Sequence, residues 1–251
     1  MEETLSDSKT ILDRLEQVEV GKDVPSEIPK LSIIIPAYNV SEFIKETLDS
    51  IFVQTFKDFE VVIVNDGSKD SVELERVLEK YADKITYAVQ QNLGASHARN
   101  AAICLSRAEL IAFIDADDIY FPECLEKQVN FIEENMLDMV YCNAELFGEN
   151  YFNDNTYMGT TPSDGDVTPT SLIDITCNVL TSATIVRREI FAEVGLFDSL
   201  SARAQDFDLW FRIAKHGAKI HYNREILIKY RMSSGSLSGS NVQRAERNVE
   251  I

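Results

Sequence analysis

Three aspartates directly follow a short apolar segment in the middle of the chain. Residues 110–114 are all apolar, which is typical of a strand buried on both faces of a parallel sheet. Asp115, Asp117 and Asp118 come next, and three carboxylates so close together repel one another. A divalent cation would offset this repulsion, since Mg²⁺ and Mn²⁺ prefer hard oxygen ligands. A solvated acidic turn is the simpler alternative, because aspartate is common in turns.

Polar residues also follow three earlier strand-like segments. Asn39 follows the first, Asp66 the second, and Asn92 and Gly94 the third. The carboxyl ends of parallel strands meet at one edge of a sheet, where α/β proteins bind their ligands. An aspartate there can accept a hydrogen bond from a ribose hydroxyl or a base N–H, and a cation beside it can bridge phosphate oxygens. The residues therefore predict a site for a nucleotide and a metal ion.

The usual phosphate-binding and metal-binding motifs are missing from the sequence. It has no Gly-x-x-x-x-Gly-Lys-Ser/Thr segment, and residues 36–39 read Pro-Ala-Tyr-Asn where a dinucleotide-binding protein would carry Gly-x-Gly-x-x-Gly. A sugar nucleotidyltransferase would likewise need a glycine-rich basic loop at that point. His97, His216 and His221 are not spaced as a metal-ligand pair.

The elements that must position these residues follow from the apolar pattern. Strands and helices alternate through the first half, which predicts a doubly wound, mostly parallel sheet. The second half is less regular and includes a long polar loop at 148–170. The predicted strands are 31–35, 59–64, 85–89, 110–114, 139–143, 181–186, 220–222 and 226–230, and the predicted helices are 41–54, 71–81, 94–106, 122–135, 189–194 and 206–216.

The composition argues against nucleic-acid partners. The chain has 42 acidic and 24 basic residues among 251, a formal net charge of −18, which disfavours binding to nucleic acid or to anionic lipid. No apolar run reaches the ~20 residues of a transmembrane segment, and the acidic N-terminus does not resemble a signal peptide. The four cysteines are widely spaced, without a Cys-x-x-Cys pair, which favours the reducing cytoplasm.

The two ends of the chain differ in pattern from its centre. A loose helical stripe that includes Leu15 and Val18 predicts a helical arm or linker over residues 1–29. Residues 30–235 are predicted to form one α/β domain, and the polar residues 236–251 a flexible tail. We expect the ends either to serve self-association or to connect this domain to the rest of a longer multidomain chain.

Several segments together resemble family 2 inverting glycosyltransferases. The resemblance extends over about residues 30–235 and implies a GT-A fold, in which a single Rossmann-like, mostly parallel sheet is flanked by helices. No Gln-x-x-Arg-Trp motif follows, so the resemblance is to the non-processive type. The matching segments are 33–39 (IIIPAYN), 62–68 (VIVNDGS), 92–100 (NLGASHARN), 113–118 (FIDADD), 194–198 (VGLFD), 205–212 (QDFDLWFR) and 229–231 (KYR).

The resemblance implies a role for each nucleotide-site residue. Asp66 would read the base and Tyr38 would lie against the nucleoside. Asp115 would contact the ribose, braced by Arg99, while Asp117 would hold Mg²⁺ or Mn²⁺. The nucleotide-binding set implied by the family is Pro36, Tyr38, Asn39, Asp66, Arg99 and Asp115.

The resemblance also implies a general base on the acceptor side. Asp206 matches the acidic residue that serves as base in the family, and a helix N-cap is the simpler alternative for it. Asp208 is expected to be structural. Gln205, Trp210 and Arg231 are expected to contact the acceptor or the diphosphate.

The expected activity is metal-dependent transfer of one hexosyl unit, with inversion, from a UDP- or dTDP-linked sugar. The acceptor would be a hydroxyl of a surface polysaccharide, a lipid-linked glycan or a protein. An idle module that only binds nucleotide or glycan is the alternative, although the intact carboxylates argue against it. The enzyme is expected in the cytoplasm, with peripheral association at the inner face of the cell membrane left open.

Overall fold

One sheet lies at the centre of the computed structural model, which describes residues 8–148, 155–199 and 204–232. Among these residues, nine strands form the sheet in the spatial order β1-β4-β3-β2-β5-β8-β7-β9-β6. The strands are β1 (Leu15–Val20), β2 (Leu31–Ala37), β3 (Phe59–Asp66), β4 (Ile85–Gln90), β5 (Leu110–Phe113), β6 (Ile119–Tyr120), β7 (Met139–Gly148), β8 (Thr184–Arg187) and β9 (Ile220–Met232).

Helices cover both faces of this sheet. None of those in the described segments is both long and apolar enough to cross a membrane. Short 3₁₀ turns stand at Ala82–Lys84 and Thr181–Ala183. The helices are α1 (Ile44–Phe52), α2 (Ser71–Leu78), α3 (Ala95–Leu105), α4 (Cys124–Glu134), α5 (Tyr157–Thr160), α6 (Pro169–Ile173), α7 (Arg188–Val194) and α8 (Gln205–His216).

The parallel half of the sheet confirms the predicted α/β pattern. Strands β4, β3, β2 and β5 are parallel neighbours, so their carboxyl ends lie side by side. Alternate residues of β2 enter different cores: Ile33 and Ile35 belong to one cluster and Ile34 to the other. All three are fully buried, because helices cover both sides of the strand. This explains why the strand reads as a continuous apolar run.

The second half of the sheet is mixed. Strand β8 is antiparallel to both β5 and β7, whereas β9 is parallel to β7 and antiparallel to β6. The two predicted strands at 220–222 and 226–230 form the single strand β9, whose register against β7 shifts at Asn143. The predicted strand at 181–186 begins only at Thr184, because residues 181–183 turn.

The long loop predicted at 148–170 contains regular structure in its described part. Helix α5 is capped by the Thr156 side chain, and α6 begins with a capping box between Thr168 and Ser171. Pro169 stands at the first position of α6, where its missing N–H costs nothing.

The structure corrects the extent of the predicted N-terminal helical arm. Residues 8–12 are helical, but Leu15 and Val18 lie in β1, which pairs antiparallel with β4. Val18 is 46% exposed, so the predicted apolar stripe is not a buried helix face. Pairing with β4 satisfies the backbone groups of an otherwise open sheet edge, which outweighs a weak helical pattern. The predicted tail at 236–251 lies outside the described residues.

Candidate active site

The turn after β5 carries the aspartate cluster at the carboxyl edge of the parallel strands. Its backbone is held by two side chains from other segments and by one hydrogen bond within the turn. The Thr47 hydroxyl donates to the carbonyl of Ala116 at 2.9 Å, and the Asp115 amide donates to Oγ of Ser182 at 3.0 Å. The Asp118 amide closes the turn on the carbonyl of Asp115 at 3.1 Å. The loop is therefore a fixed scaffold rather than a solvated acidic turn.

Burial and like charge act on the carboxylates of this turn. Burial and the neighbouring Asp115 raise the pKa of Asp117 to about 6. Asp118 is fully buried, and its pKa is raised well above the ordinary range by burial and then by the charges of Asp117 and Asp115. Its Oδ2 has no hydrogen-bond partner among the described residues, although the Ser182 hydroxyl is close enough to lower its pKa.

These observations fit a bound divalent cation, which would neutralise the crowded carboxylates. Asp117 would hold it, since Asp115 is engaged elsewhere and Asp118 points into the protein. In the described parts of the chain, no three His, Cys, Asp or Glu side chains are arranged as a complete metal site. A cation here would thus need further oxygen ligands from phosphate or water.

Arg99 and Asp115 form an ion pair beside the turn. Arg99 Nη2 donates to Asp115 Oδ1 at 2.6 Å, and the Arg99 guanidinium lies 5.6 Å from the ring centre of Phe197. The Arg99 side chain is 11% exposed and that of Asp115 is 34% exposed. Asn100 fixes Phe197 by exchanging two hydrogen bonds with its backbone. The predicted ion pair between Arg99 and Asp115 is present, and the Asp115 carboxylate is still accessible to a ligand.

Asp66 is engaged with the segment before α3. Its Oδ1 accepts from Gln90 Nε2 at 2.7 Å and from the Leu93 amide at 2.8 Å, and its Oδ2 accepts from the Gly94 amide at 2.9 Å. Only 3% of Asp66 is exposed. The carboxylate thus shapes the 91–94 segment, and base reading by Asp66 stays a prediction.

The predicted residues after β2 lie next to this segment. Asn39 adopts φ 54°, a left-handed conformation that asparagine tolerates. The backbone amide of Asn39 donates to Ser68 Oγ at 3.1 Å, and its side-chain Oδ1 accepts from the backbone amide of Lys69 at 2.8 Å. These two bonds join the ends of β2 and β3. Tyr38 is 40% exposed and Pro36 is half-buried, so the tyrosine ring is available to a ligand.

Asp206 lies in the first turn of α8, where the helix dipole favours a carboxylate. The N-cap of α8 is Ala204, so the alternative of Asp206 as a simple N-cap is wrong. Asp206 Oδ2 accepts from the Thr181 hydroxyl at 3.0 Å, and Oδ1 accepts from the amide of Phe207 at 2.9 Å. Gln205 is turned towards α3, where its Oε1 accepts from Ser96 Oγ at 2.6 Å.

Two predicted contact residues have other surroundings. Trp210 is 2% exposed and packs edge-on against Phe113 and Phe197, which corrects its assignment as an acceptor contact: it is a core residue. It points inward because Phe113 ends the buried strand β5 below α8. Arg231 is held on the aspartate turn, donating to the carbonyl of Asp117 at 2.9 Å.

Asp208 has the structural role that the sequence predicted. Its Oδ2 accepts from Arg212 Nε at 2.9 Å and from Arg212 Nη2 at 2.8 Å. Arg212 Nη2 also donates to the carbonyl of Leu196 at 2.8 Å. Asp208 therefore fixes α8 to the 194–198 segment.

Sequence reasoning missed four residues that hold the site. Thr47 and Ser182 support the aspartate turn, Thr181 holds Asp206, and Glu46 accepts from Arg231 Nη2 at 2.6 Å. They are polar residues within segments whose pattern predicts an ordinary helix or strand. The sequence alone carries no signal that distinguishes such residues from their solvated neighbours.

Comparison with known proteins identifies the family. The profile described as Glycosyl transferase family 2 matches residues 32–195. The chain is 31% identical over 228 residues to an uncharacterized glycosyltransferase of Rickettsia prowazekii, covering 89% of this chain and 70% of that protein. It is 36% identical over 223 residues to one of Rickettsia felis, covering 85% of this chain but only 36% of that protein.

Solved structures share the fold. Residues 1–349 of S. aureus TarS, in complex with UDP, align with a TM-score of 0.64 at 27% identity, over 81% of this chain and 61% of that one. A mannosyltransferase from Pyrobaculum calidifontis, in complex with GDP-Man and Mn²⁺, aligns with a TM-score of 0.71 at 21% identity, over 97% of this chain and 68% of that one. The predicted GT-A fold is confirmed, and the chain belongs to glycosyl transferase family 2.

Proposed function

We propose that this chain is a metal-dependent inverting glycosyltransferase that moves one hexosyl unit from a UDP- or dTDP-linked sugar to an acceptor hydroxyl. One observation carries the proposal. Two consecutive residues connect the two halves of the site: Ser182 accepts from the amide of Asp115, and Thr181 donates to the carboxylate of Asp206. The candidate donor residue and the candidate base therefore share one edge of the sheet.

The donor side would bind the nucleotide at the ends of β2, β3 and β5. The exposed ring of Tyr38 would cover the nucleoside, with Pro36 and Asn39 shaping the same edge. Asp66 would read a pyrimidine base, and Asp115, held by Arg99, would accept from the ribose. The same TarS fragment has also been solved in complex with UDP-GlcNAc, a structure that aligns at 26% identity, which supports a uridine donor.

Asp117 would hold the Mg²⁺ or Mn²⁺ ion. When bound, such an ion neutralises charge on the diphosphate and makes it a better leaving group. Asp115 and Asp117 stand two residues apart in the same turn, so their carboxylates can serve ribose and diphosphate at once. The charge of Asp115 raises the pKa of Asp117, and this repulsion supports a cation beside the Asp117 carboxylate.

Asp206 would act as the general base. Its Oδ2 would take the proton of the acceptor hydroxyl, whose oxygen then forms a bond to the anomeric carbon. The bond from that carbon to the diphosphate oxygen breaks, and the electron pair leaves with the nucleoside diphosphate. Attack opposite the leaving group inverts the configuration.

The acceptor is proposed to be a hydroxyl of a surface polysaccharide, a lipid-linked glycan or a protein, at the cytoplasmic side of the cell, with or without peripheral contact to the membrane. The chain spans 36% of the length of its R. felis relative, so the choice of acceptor by such a longer protein would not rest on the matching region alone.

The first experiment is a thermal-shift screen of nucleotide sugars with MnCl₂ or EDTA. A stabilising UDP- or dTDP-sugar would then be incubated with candidate acceptors, and the anomeric configuration of the product read by NMR. Stabilisation that is the same in EDTA would contradict metal dependence. Binding without turnover on any acceptor would favour the idle module, and a product that retains the donor's configuration would contradict the mechanism.

A further inference from the structure

Arg231 is built into the aspartate turn by contacts from both its backbone and its side chain. Its amide donates to Oδ1 of the buried Asp118 at 2.8 Å, and its Nε donates to the carbonyl of Asp117 at 2.9 Å. Its Nη2 donates to Glu46 Oε2 at 2.6 Å, which ties the same side chain to the first turn of α1. One residue thus connects β9, α1 and the turn.

Two aromatic rings hold the guanidinium of Arg231 in place. Its Cζ lies 4.8 Å from the ring centre of Phe43 and 4.4 Å from that of Phe147. Phe147 is the partner of Arg231 in the register between β7 and β9, so the strand pairing itself aligns the ring. Arginine suits this position because its flat guanidinium stacks on rings while its N–H groups remain free to donate.

The Arg231 side chain is mostly enclosed. It is only 15% exposed, and its ion-pair partner Glu46 is 58% exposed. Its Nε donates to a backbone carbonyl of the turn and is not directed towards solvent. These contacts suit a group that fixes the protein's own backbone better than one that reaches a substrate.

We propose that Arg231 is a positioning residue, which holds the backbone of Asp117 so that its carboxylate faces the cation of the donor complex. This inference rests on the proposed function, because it assigns Asp117 to a metal ion. Residues that orient a ligand-bearing segment typically change metal affinity by about 10- to 100-fold when removed. A purely structural role would lower stability without changing the metal dependence of nucleotide binding.

Arg187 offers a matched control. Its Nε donates to the carbonyl of Leu137 at 2.8 Å, and its Nη2 donates to Glu133 at 3.2 Å, the same two kinds of contact that Arg231 makes. Its side chain is 21% exposed. In the antiparallel register Arg187 pairs with Leu110, at the end of β5 away from the aspartate turn.

The test compares the parent protein with Arg231→Ala and Arg187→Ala. Titration calorimetry would measure UDP binding in MnCl₂ and in EDTA, and hydrogen–deuterium exchange would follow the peptide 114–121. We expect Arg231→Ala to weaken Mn²⁺-dependent UDP binding by about tenfold or more and to speed exchange in that peptide. Arg187→Ala should do neither, whatever its melting temperature.

Chemical rescue adds a readout that a stability effect would not produce. Arg231→Ala leaves a slot between Phe43 and Phe147, which ethylguanidinium should fill, restoring UDP affinity in MnCl₂; ethylammonium should not. Exchange and UDP affinity in Arg231→Ala equal to those in Arg187→Ala would overturn the proposal. If Arg231→Ala speeds exchange but the parent shows no Mn²⁺-dependent UDP binding, Arg231 holds the turn without serving a cation, and the metal dependence in the proposed function fails as well.

Discussion

The Thr181 hydroxyl donates a hydrogen bond to Asp206 Oδ2 at 3.0 Å. This bond orients the carboxylate proposed as the base, and a hydrogen bond to a charged acceptor contributes about 1.5–3 kcal/mol. We therefore expect Thr181→Val, which keeps the shape and removes the donor, to lower kcat by about tenfold to a hundredfold with little change in donor KM. Thr181→Ser should keep most of the parent kcat. A loss of kcat in Thr181→Ser but not in Thr181→Val would show that the methyl packing matters and the hydrogen bond does not.

Replacing the proposed base should remove turnover and leave nucleotide binding in place. Asp206→Asn keeps the size of the side chain but cannot accept the proton, so kcat should fall by about 10² to 10⁴. UDP affinity should stay within a few-fold, because Asp206 faces the acceptor. Asp208→Asn, which disturbs only the pair with Arg212, should be far milder. Turnover by Asp206→Asn within threefold of the parent would contradict the assignment of Asp206 as the general base.

The metal assignment predicts that nucleotide binding depends on Asp117. Asp117→Ala should reduce UDP affinity in MnCl₂ sharply, to the level that the parent shows in EDTA. Calorimetry with and without the ion measures both. If the parent binds UDP equally well in EDTA and in MnCl₂, Asp117 does not serve a metal ion.

The raised pKa of Asp117 predicts a stability cost in the protein without metal. The pKa of Asp117 is about 6 in the folded chain, above its ordinary value of 3.8, so folding favours the protonated form. That contribution is full below pH ~4 and is lost as the pH rises through about 6. Asp117→Asn should thus be more stable than the parent at pH 7.5 in EDTA, by about 3 kcal/mol, and close to it near pH 4. Thermal unfolding at both pH values measures this, and a constant difference would contradict it.

The contacts of Asp66 predict that this residue orders the 91–94 segment besides any role in base reading. Asp66→Asn replaces one acceptor oxygen by an amide donor, so it cannot accept both from Gly94 and from Leu93. Exchange of those amides should rise and UDP affinity should fall. Ser68→Ala, which alters the neighbouring contact with Asn39, is the control for a general effect on this loop. Unchanged exchange in Asp66→Asn would show that the segment is held by other contacts.

The sequence alone determined the parallel half of the fold and the edge on which the site lies. Strands β2, β3, β4 and β5 are buried on both faces, so their residues are mainly apolar, with a few hydrogen-bonded exceptions such as Ser32 and Glu60, and such runs are visible without a structure. The change from apolar run to polar residues at Asn39, Asp66 and Asp115 marks where each strand leaves the core. The ion pair of Arg99 with Asp115 was likewise expected from motif resemblance.

Tertiary structure decided how those residues are supported. Thr47, Thr181 and Ser182 act across distances of tens of residues along the chain, and their types carry no periodic signal. Trp210 belongs to the apolar stripe of α8, which favours the core, whereas the family resemblance suggested an acceptor contact; its packing on Phe113 decides for the core. Leu15 and Val18 joined an open sheet edge instead of a helix, because backbone pairing depends on a neighbouring strand that local sequence cannot reveal.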